Sequence, residues 1–172
     1  EGLGMSPKRI TVSTSGISKM IKKLGADEVK FNFALSLHAA NDKKRSKIMP
    51  INDTNDLASL KESLTYFHEK TGTRVTYEFI VFKDFNDSIE DAQELAEFCK
   101  IVPCKVNLIE YNPIEGVDFQ RTSSEKMDAF AKYLEDKNII VNVRRSRGKD
   151  IDAACGQLAN KNQAAEQVIH KK

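Results

Sequence analysis

Apolar and polar positions along the chain follow two alternating periods, which predict five strands separated by helices. β-Branched and aromatic residues cluster in five short runs, at 9–15, 31–38, 74–82, 104–111 and 139–144. Between these runs, apolar residues recur every three or four positions, as they do along one face of a helix. The run at 31–38 is mostly apolar, which is typical of a strand buried on both faces. The pattern therefore indicates an α/β protein.

Local end signals predict where the helices begin and end. Small polar residues favour helix starts, and glycine favours helix ends. A short helical turn is expected at 43–48, before a break at Pro50. The predicted signals are, in chain order, Gly25 as a stop, Asp56 as a cap, Gly72 as a stop, and capping boxes at Ser88 with Asp91 and at Thr122 with Glu125.

The connections between predicted strands are long enough for right-handed crossovers, so we expect a parallel sheet. Either a barrel or a doubly wound sheet fits this pattern. No G-x-G-x-x-G or G-x-x-x-x-G-K-[ST] motif follows any strand, so dinucleotide-binding and P-loop interpretations lose their main support.

Composition narrows the class of protein. The chain has 172 residues, 40% apolar and 30% charged, which suits one globular domain with a core. The net charge is only +2, so any anion binding has to be local. No apolar run reaches membrane-spanning length, and no signal peptide is evident. The three cysteines, Cys99, Cys104 and Cys155, form no C-x-x-C pair, which indicates neither a disulfide framework nor a metal site and favours a reducing, cytoplasmic compartment.

Polar side chains gather at the carboxyl ends of the predicted strands. The first strand ends in Ser13-Thr14-Ser15, the second in Ser36-Leu37-His38, and the fourth is followed by Asn112. Binding sites of βα barrels are built at this edge. Each residue also has a structural interpretation: Ser13 as a strand-end or capping residue, His38 as a core histidine, and Asn112 as a turn initiator. Their joint position at one edge favours a site.

The stretch 150–158, D-I-D-A-A-C-G-Q-L, is the clearest candidate for chemistry. Cys155 lies among small residues that let a large ligand approach its sulfur. The preceding loop is basic, and nearby cations favour the reactive thiolate. The alternative is that Cys155 is a small packing residue, as most free cysteines are.

Four segments together resemble a known family, the radical S-adenosylmethionine (SAM) adenosine C2 methyltransferases of 23S ribosomal RNA and certain transfer RNAs. They are R-I-T-V-S-T-S-G (9–16), S-L-H-A (36–39), N-L-I-E-Y-N-P (107–113) and R-G-K-D-I-D-A-A-C-G-Q-L (147–158). The segments occur in family order and spacing, and the resemblance spans nearly all of 9–158.

The resemblance implies a partial (β/α)6 barrel of about five parallel strands and a two-step methyl transfer. By matching position, Ser13, the Ser36-Leu37-His38 segment and Asn112 would contact SAM. Cys155 would carry the methyl group as S-methylcysteine. A radical derived from a second SAM at a [4Fe–4S] cluster would then activate that methyl group for addition to C2 of adenine, a carbon that is not nucleophilic.

The sequence also departs from the family pattern. The C-x-x-x-C-x-x-C cluster loop and the G-E-P segment are absent, so no cluster ligands are expected in this chain. We therefore interpret 1–158 as the C-terminal half of the barrel, followed by a polar tail at 159–172, and expect the isolated chain to be inactive. An unpaired strand edge at 9–15 would promote self-association.

Basic residues precede the candidate cysteine and have two interpretations. They are Arg144, Arg145, Arg147 and Lys149. They form either a solvated loop or contacts to the phosphates of an RNA substrate.

Other functional classes also remain open. One is a non-catalytic RNA- or nucleotide-binding half-barrel. Another is an unrelated barrel enzyme, such as an isomerase or aldolase, that uses His38 and Cys155. A C8-directed relative of the same family shares much of this machinery, although the motif match favours C2.

Overall fold

A computed structural model describes residues 10–145, and within them five parallel strands pair in the order in which they follow along the chain. The strands are β1 (Thr11–Thr14), β2 (Asn32–Ser36), β3 (Val75–Val81), β4 (Cys104–Glu110) and β5 (Ile140–Arg144). A doubly wound sheet would reverse its strand order at a switch point, whereas a βα barrel keeps the sequential order. The prediction of an α/β fold with five parallel strands is confirmed, and the topology is that of a barrel segment.

Helices connect the strands and cover one face of the sheet. They are α1 (Ser18–Ala26), α2 (Asp42–Ile48), α3 (Leu57–Thr71), α4 (Ile89–Cys99) and α5 (Ser124–Asp136), with a 3₁₀ turn at Pro50–Asp53. Most predicted end signals are confirmed. Asp56 accepts a hydrogen bond from the Ser59 amide, Gly72 adopts φ = 64°, and Ser88 and Asp91 form a reciprocal capping box.

Two predicted end signals are wrong, and both residues have other roles. Gly25 does not stop α1; it lies inside that helix, where a Cβ atom would stand 3.0 Å from the Cα of Phe67 in α3. Thr122 does not cap α5, because Ser123 accepts the capping bond from the Lys126 amide. The Thr122 hydroxyl instead donates to the buried carboxylate of Asp87 (2.7 Å).

The main core lies between the sheet and the helices. Alternate strand residues, such as Leu35, Tyr77 and Leu108, are fully buried there. Cys99 and Cys104 also pack at this core, where the Cys104 thiol lies 3.5 Å from the Cys99 carbonyl oxygen, as expected for packing residues. Since side chains alternate along a strand, the residues between these apolar positions face the opposite side of the sheet, which we call the inner face.

None of the helices within residues 10–145 combines the length and the apolar character that crossing a membrane requires.

Candidate functional site

A row of polar side chains crosses the inner face at one level of the sheet. The strand register pairs Ser36 with Glu78, Glu78 with Asn107, and Asn107 with Asn142. The Asn142 amide donates to Asn107 Oδ1 at 3.4 Å. Among these residues, sequence reasoning identified only Ser36. The polar positions in the other strands are visible in the sequence, but only the register shows that they share a level.

Ser13 lies on the same face, one layer below this row. It pairs with Ala34, which alternates with the core residues Phe33 and Leu35 and therefore points to the inner face. The Ser13 residue is exposed, and Ser36 is half-buried. The structure thus brings the two predicted serines onto one side of neighbouring strands.

His38 follows β2 in a tight and strained turn. Its φ is 57°, an uncommon value for a residue with a Cβ, and the Ala39 amide donates to the Leu37 carbonyl at 2.7 Å. The Asn86 amide donates to the His38 carbonyl at 2.8 Å. Such strain persists only where surrounding contacts determine the conformation, and it is found most often at functional sites.

The imidazole of His38 is buried and neutral. The ring accepts a hydrogen bond at Nδ1 from the Ile80 amide (3.0 Å), so its proton lies on Nε2. Burial and, to a smaller extent, the cation of Arg45 lower the pKa of His38 to about 3. His38 can therefore offer a ligand a neutral N–H donor, but it does not serve as a cation near neutral pH.

Arg45 is a buried residue beside these strand ends that sequence reasoning missed. It comes from α2 and is fully buried. Its guanidinium donates hydrogen bonds to the carbonyl oxygens of Ser15, Ser36 and Leu37. In the sequence it is one cation of a polar helical turn, and no local signal distinguishes it from the lysines beside it.

Asn112 lies two residues after β4, at the same carboxyl edge. Its Oδ1 accepts a short hydrogen bond from Arg121 Nη2, and Arg121 Nε donates to the Tyr111 carbonyl at 3.2 Å. The structure therefore fixes the amide orientation of Asn112 from the loop that precedes α5.

The remaining predicted residues lie at or beyond the end of the described chain. Arg144 and Arg145 are exposed at the end of β5. Arg147, Lys149, Cys155 and the tail at 159–172 lie outside the described residues. Within 10–145, no group of three or more His, Cys, Asp or Glu side chains is arranged to hold a metal ion.

Comparison with solved structures finds proteins that share the sheet and its helices. A radical SAM methyltransferase from Sphaerobacter thermophilus is 40% identical and superposes with a TM-score of 0.83, covering 91% of this chain and 46% of that chain. A domain of the pyruvate-formate lyase-activating enzyme from Bacteroides vulgatus superposes with a TM-score of 0.61 at 13% identity, over 80% of this chain and 86% of that chain; it shows the fold alone. The sheet thus has the fold of one segment of a radical SAM methyltransferase barrel.

Comparison with curated proteins finds relatives of high sequence identity. The probable dual-specificity RNA methyltransferase RlmN of Cytophaga hutchinsonii is 63% identical over 161 residues, which are 94% of this chain and 44% of that protein. Its counterpart in Salinibacter ruber is 48% identical over 167 residues, 96% of this chain and 45% of that protein. No protein-family model matches the chain. The chain is therefore similar to one segment of dual-specificity RNA methyltransferases, and it spans a little under half the length of these relatives.

Proposed function

We propose that this chain is the SAM-contacting and methyl-carrying part of an enzyme that methylates adenosine C2 in 23S ribosomal RNA and transfer RNA. The observation that carries the proposal is the placement of Ser13, Ser36, His38 and Asn112. These residues lie at or near the carboxyl ends of the parallel strands β1, β2 and β4 of a chain 63% identical to a probable RNA methyltransferase. The carboxyl edge of a βα barrel is where such enzymes build their sites.

The described residues fit SAM as a ligand. SAM presents hydroxyl, amino, carboxylate and adenine groups, which need both donors and acceptors. Ser13 and Ser36 carry hydroxyls, His38 offers a neutral N–H at Nε2, and Asn112 presents an amide held by Arg121. When bound, SAM supplies a methyl group and, together with an iron–sulfur cluster, radical chemistry. The protein residues would orient it.

Cys155 is proposed as the residue that carries the methyl group. C2 of adenine is not nucleophilic, so a direct polar transfer of the methyl group to it is unavailable. A thiolate is a good nucleophile, and the cations at 144–149 would favour that form of Cys155. This thiolate would displace the methyl group from the sulfonium of SAM, releasing S-adenosylhomocysteine, before the transfer to RNA.

The ligands of an iron–sulfur cluster would have to come from elsewhere in the protein. The chain contains only Cys99, Cys104 and Cys155, and their spacing does not match C-x-x-x-C-x-x-C. Cys99 and Cys104 are also packed at the core on the helix side. We therefore expect the isolated chain to be inactive.

RNA contact is proposed for the basic residues at the end of β5. Arg144 and Arg145 are exposed beside the carboxyl edge, and Arg147 and Lys149 follow them in the sequence. Cations that contact phosphates raise affinity in a salt-dependent manner. Replacing all four with glutamine in the full-length protein should weaken RNA binding and flatten its salt dependence; unchanged binding would refute the assignment. Because the substrates would be ribosomal and transfer RNA, we place the protein in the cytoplasm.

The direct test of the function is product analysis with the full-length protein that contains this segment. The protein would be purified with its cluster intact, reduced, and incubated with SAM and either a 23S RNA fragment or transfer RNA. We expect 2-methyladenosine in digested RNA from the full-length protein and none with residues 1–172 alone. Formation of 8-methyladenosine would support the C8-directed relative instead. RNA binding without any methylated product, in protein that holds its cluster, would favour a non-catalytic binding module.

A further inference from the structure

Arg45 is a buried cation whose hydrogen bonds go to neutral groups. It is 0% exposed, and no carboxylate among residues 10–145 lies within ion-pair distance of its guanidinium. Nε donates to the Leu37 carbonyl (3.1 Å), and Nη2 donates to the carbonyls of Ser15 (2.7 Å) and Ser36 (3.2 Å). Nη1 donates to Asn52 Oδ1 (3.0 Å).

This arrangement costs stability compared with an apolar side chain of similar size. Removing a guanidinium from water is unfavourable unless its donors are matched, and burial lowers the pKa of Arg45 to about 10 despite the nearby carboxylate of Asp42. A residue kept only for packing would not need four directed donors. The positions of the groups that accept these hydrogen bonds therefore explain the burial of Arg45 better than packing does.

The three carbonyls that Arg45 binds stand at the ends of β1 and β2, two of the strands that carry predicted SAM contacts. Ser15 follows β1 directly, Ser36 is the last residue of β2, and Leu37 begins the strained turn at His38. The Leu37 carbonyl also accepts the Ala39 amide that closes this turn. One planar group thus joins the ends of two neighbouring strands and anchors the strained turn.

The backbone beside Arg45 is adapted to its close approach. Gly16 has φ = 110°, and a Cβ atom there would stand 3.0 Å from Arg45 Nη2 and 3.2 Å from Leu60 Cδ2. A side chain at this position would be strained in the backbone and would crowd the guanidinium. On the other side, Asn52 Nδ2 donates to Asp42 Oδ1 (3.1 Å) and to Ser46 Oγ (2.9 Å), which fixes the amide that receives Nη1.

We propose that Arg45 is a positioning residue that holds the ends of β1 and β2 in the conformation that binds SAM, without touching SAM itself. The inference rests on the proposed function, because it assigns a ligand to the segments that Arg45 orders. A preorganised site loses less conformational entropy on binding, so loosening these two strand ends should weaken affinity for SAM before it changes the chemical step.

The test compares Arg45→Lys with the wild type in the full-length protein with its cluster intact. Lysine keeps the charge but cannot donate to three carbonyls from one plane. The loss of two of the charge-assisted hydrogen bonds from Arg45 to the strand ends would loosen the site. We expect the Kd and KM for SAM to rise about tenfold or more. The kcat at saturating SAM and the KM for RNA should change by less than about threefold.

A matched control separates positioning from general destabilisation. Leu64→Ala creates a cavity in the core on the helix side, away from the inner face. It should lower the Tm at least as much as Arg45→Lys, yet leave the Kd for SAM within about twofold of the wild type. Hydrogen exchange should speed up at the amides of 37–39 in Arg45→Lys and not in Leu64→Ala.

The possible outcomes distinguish this inference from the proposed function. If the folded Arg45→Lys protein binds SAM as tightly as the wild type, Arg45 is only a structural residue and the inference is overturned. The same conclusion follows if Leu64→Ala weakens SAM binding equally. If the wild-type protein with its cluster does not bind SAM at all, the proposed function fails and the inference fails with it.

Discussion

At the scale of single residues, His38 shows how the fold determines the chemistry available at the site. The sequence alone allowed either a ligand-binding histidine or a core histidine. The structure shows a buried histidine whose Nδ1 accepts a hydrogen bond from the Ile80 amide of β3, at the carboxyl edge beside Ser36. Ligand contact through Nε2 stays a prediction. Burial keeps the ring neutral, which excludes a role as a cationic acid near pH 7.

The buried state of His38 predicts a pH dependence of stability. Its folded pKa of about 3 lies below the unfolded value of 6.5, so the unfolded chain takes up a proton that the folded chain refuses. The contribution of neutral His38 is therefore fully present above pH 6.5 and is lost progressively as the pH falls towards 3.

His38→Asn tests this dependence. Asparagine tolerates positive φ and keeps a short acceptor for the Ile80 amide, but it does not titrate. Between pH 7.5 and 4.5 the free energy of unfolding of the wild type should fall by about 2.5 kcal/mol more than that of the variant. Urea unfolding at both pH values measures this difference. An equal loss of unfolding free energy in the two proteins would contradict the assignment of a buried neutral imidazole.

The residue scale also shows what the sequence could not reveal. The positions of four residues at the carboxyl edge were predictable because strand ends can be located from β-branched runs: Ser13, Ser36, His38 and Asn112. Arg45 was not, because it belongs to a polar turn (D-K-K-R-S) and its burial depends on carbonyls eight to thirty positions away in the chain.

At the scale of elements, the contact between α1 and α3 depends on Gly25. The sequence predicted a different role for this residue. Glycine near the end of an apolar stripe predicts a helix stop, but Gly25 lies within α1 and is buried. Helix-end signals are local, whereas close packing against α3 is a tertiary contact that outweighs them. The caps at Asp56 and Ser88 were predictable because capping bonds are themselves local.

Gly25→Ala should therefore destabilise the protein despite the higher helix propensity of alanine. The new methyl group would stand 3.0 Å from the Cα of Phe67 and 3.1 Å from Tyr66 Cδ1, and the backbone atom cannot move aside without shifting α3. We expect a loss of about 1–3 kcal/mol by chemical unfolding. Lys23→Ala, on the exposed side of α1, is the control and should change stability by less than about 0.5 kcal/mol. A Gly25→Ala protein as stable as the wild type would show that the helices separate easily.

At the scale of the whole molecule, the described sheet ends in two strands that each pair on one side only. Within residues 10–145, β1 pairs with β2 and β5 pairs with β4. Open strand edges attract further strands. Large apolar residues near them, including Ile10 (43%) and Ile140 (47%), are exposed. We therefore expect residues 1–172 to self-associate through the β1 edge.

Thr11→Pro tests that expectation. The Ile10 carbonyl accepts from the Asn32 amide in β2, so the backbone groups of the next residue, Thr11, point away from β2 towards the open edge. Proline there removes an outward N–H without breaking the pairing of β1 with β2. Size-exclusion chromatography at high concentration should show Thr11→Pro eluting later than the wild type. Thr11→Val keeps the N–H and should elute with the wild type. A wild type that remains monomeric throughout would contradict the prediction.

The central claim is that this segment carries the methyl group of an RNA methyltransferase, and one measurement tests it most directly. Peptide mass spectrometry of the full-length protein, purified from its own host, would examine the peptide that contains Cys155. We predict a methyl group, a mass increase of about 14 Da, on the Cys155 sulfur, as expected for a thiolate that accepts a methyl group from SAM. An unmodified thiol in protein shown to hold its iron–sulfur cluster would contradict the account and reduce Cys155 to a packing residue.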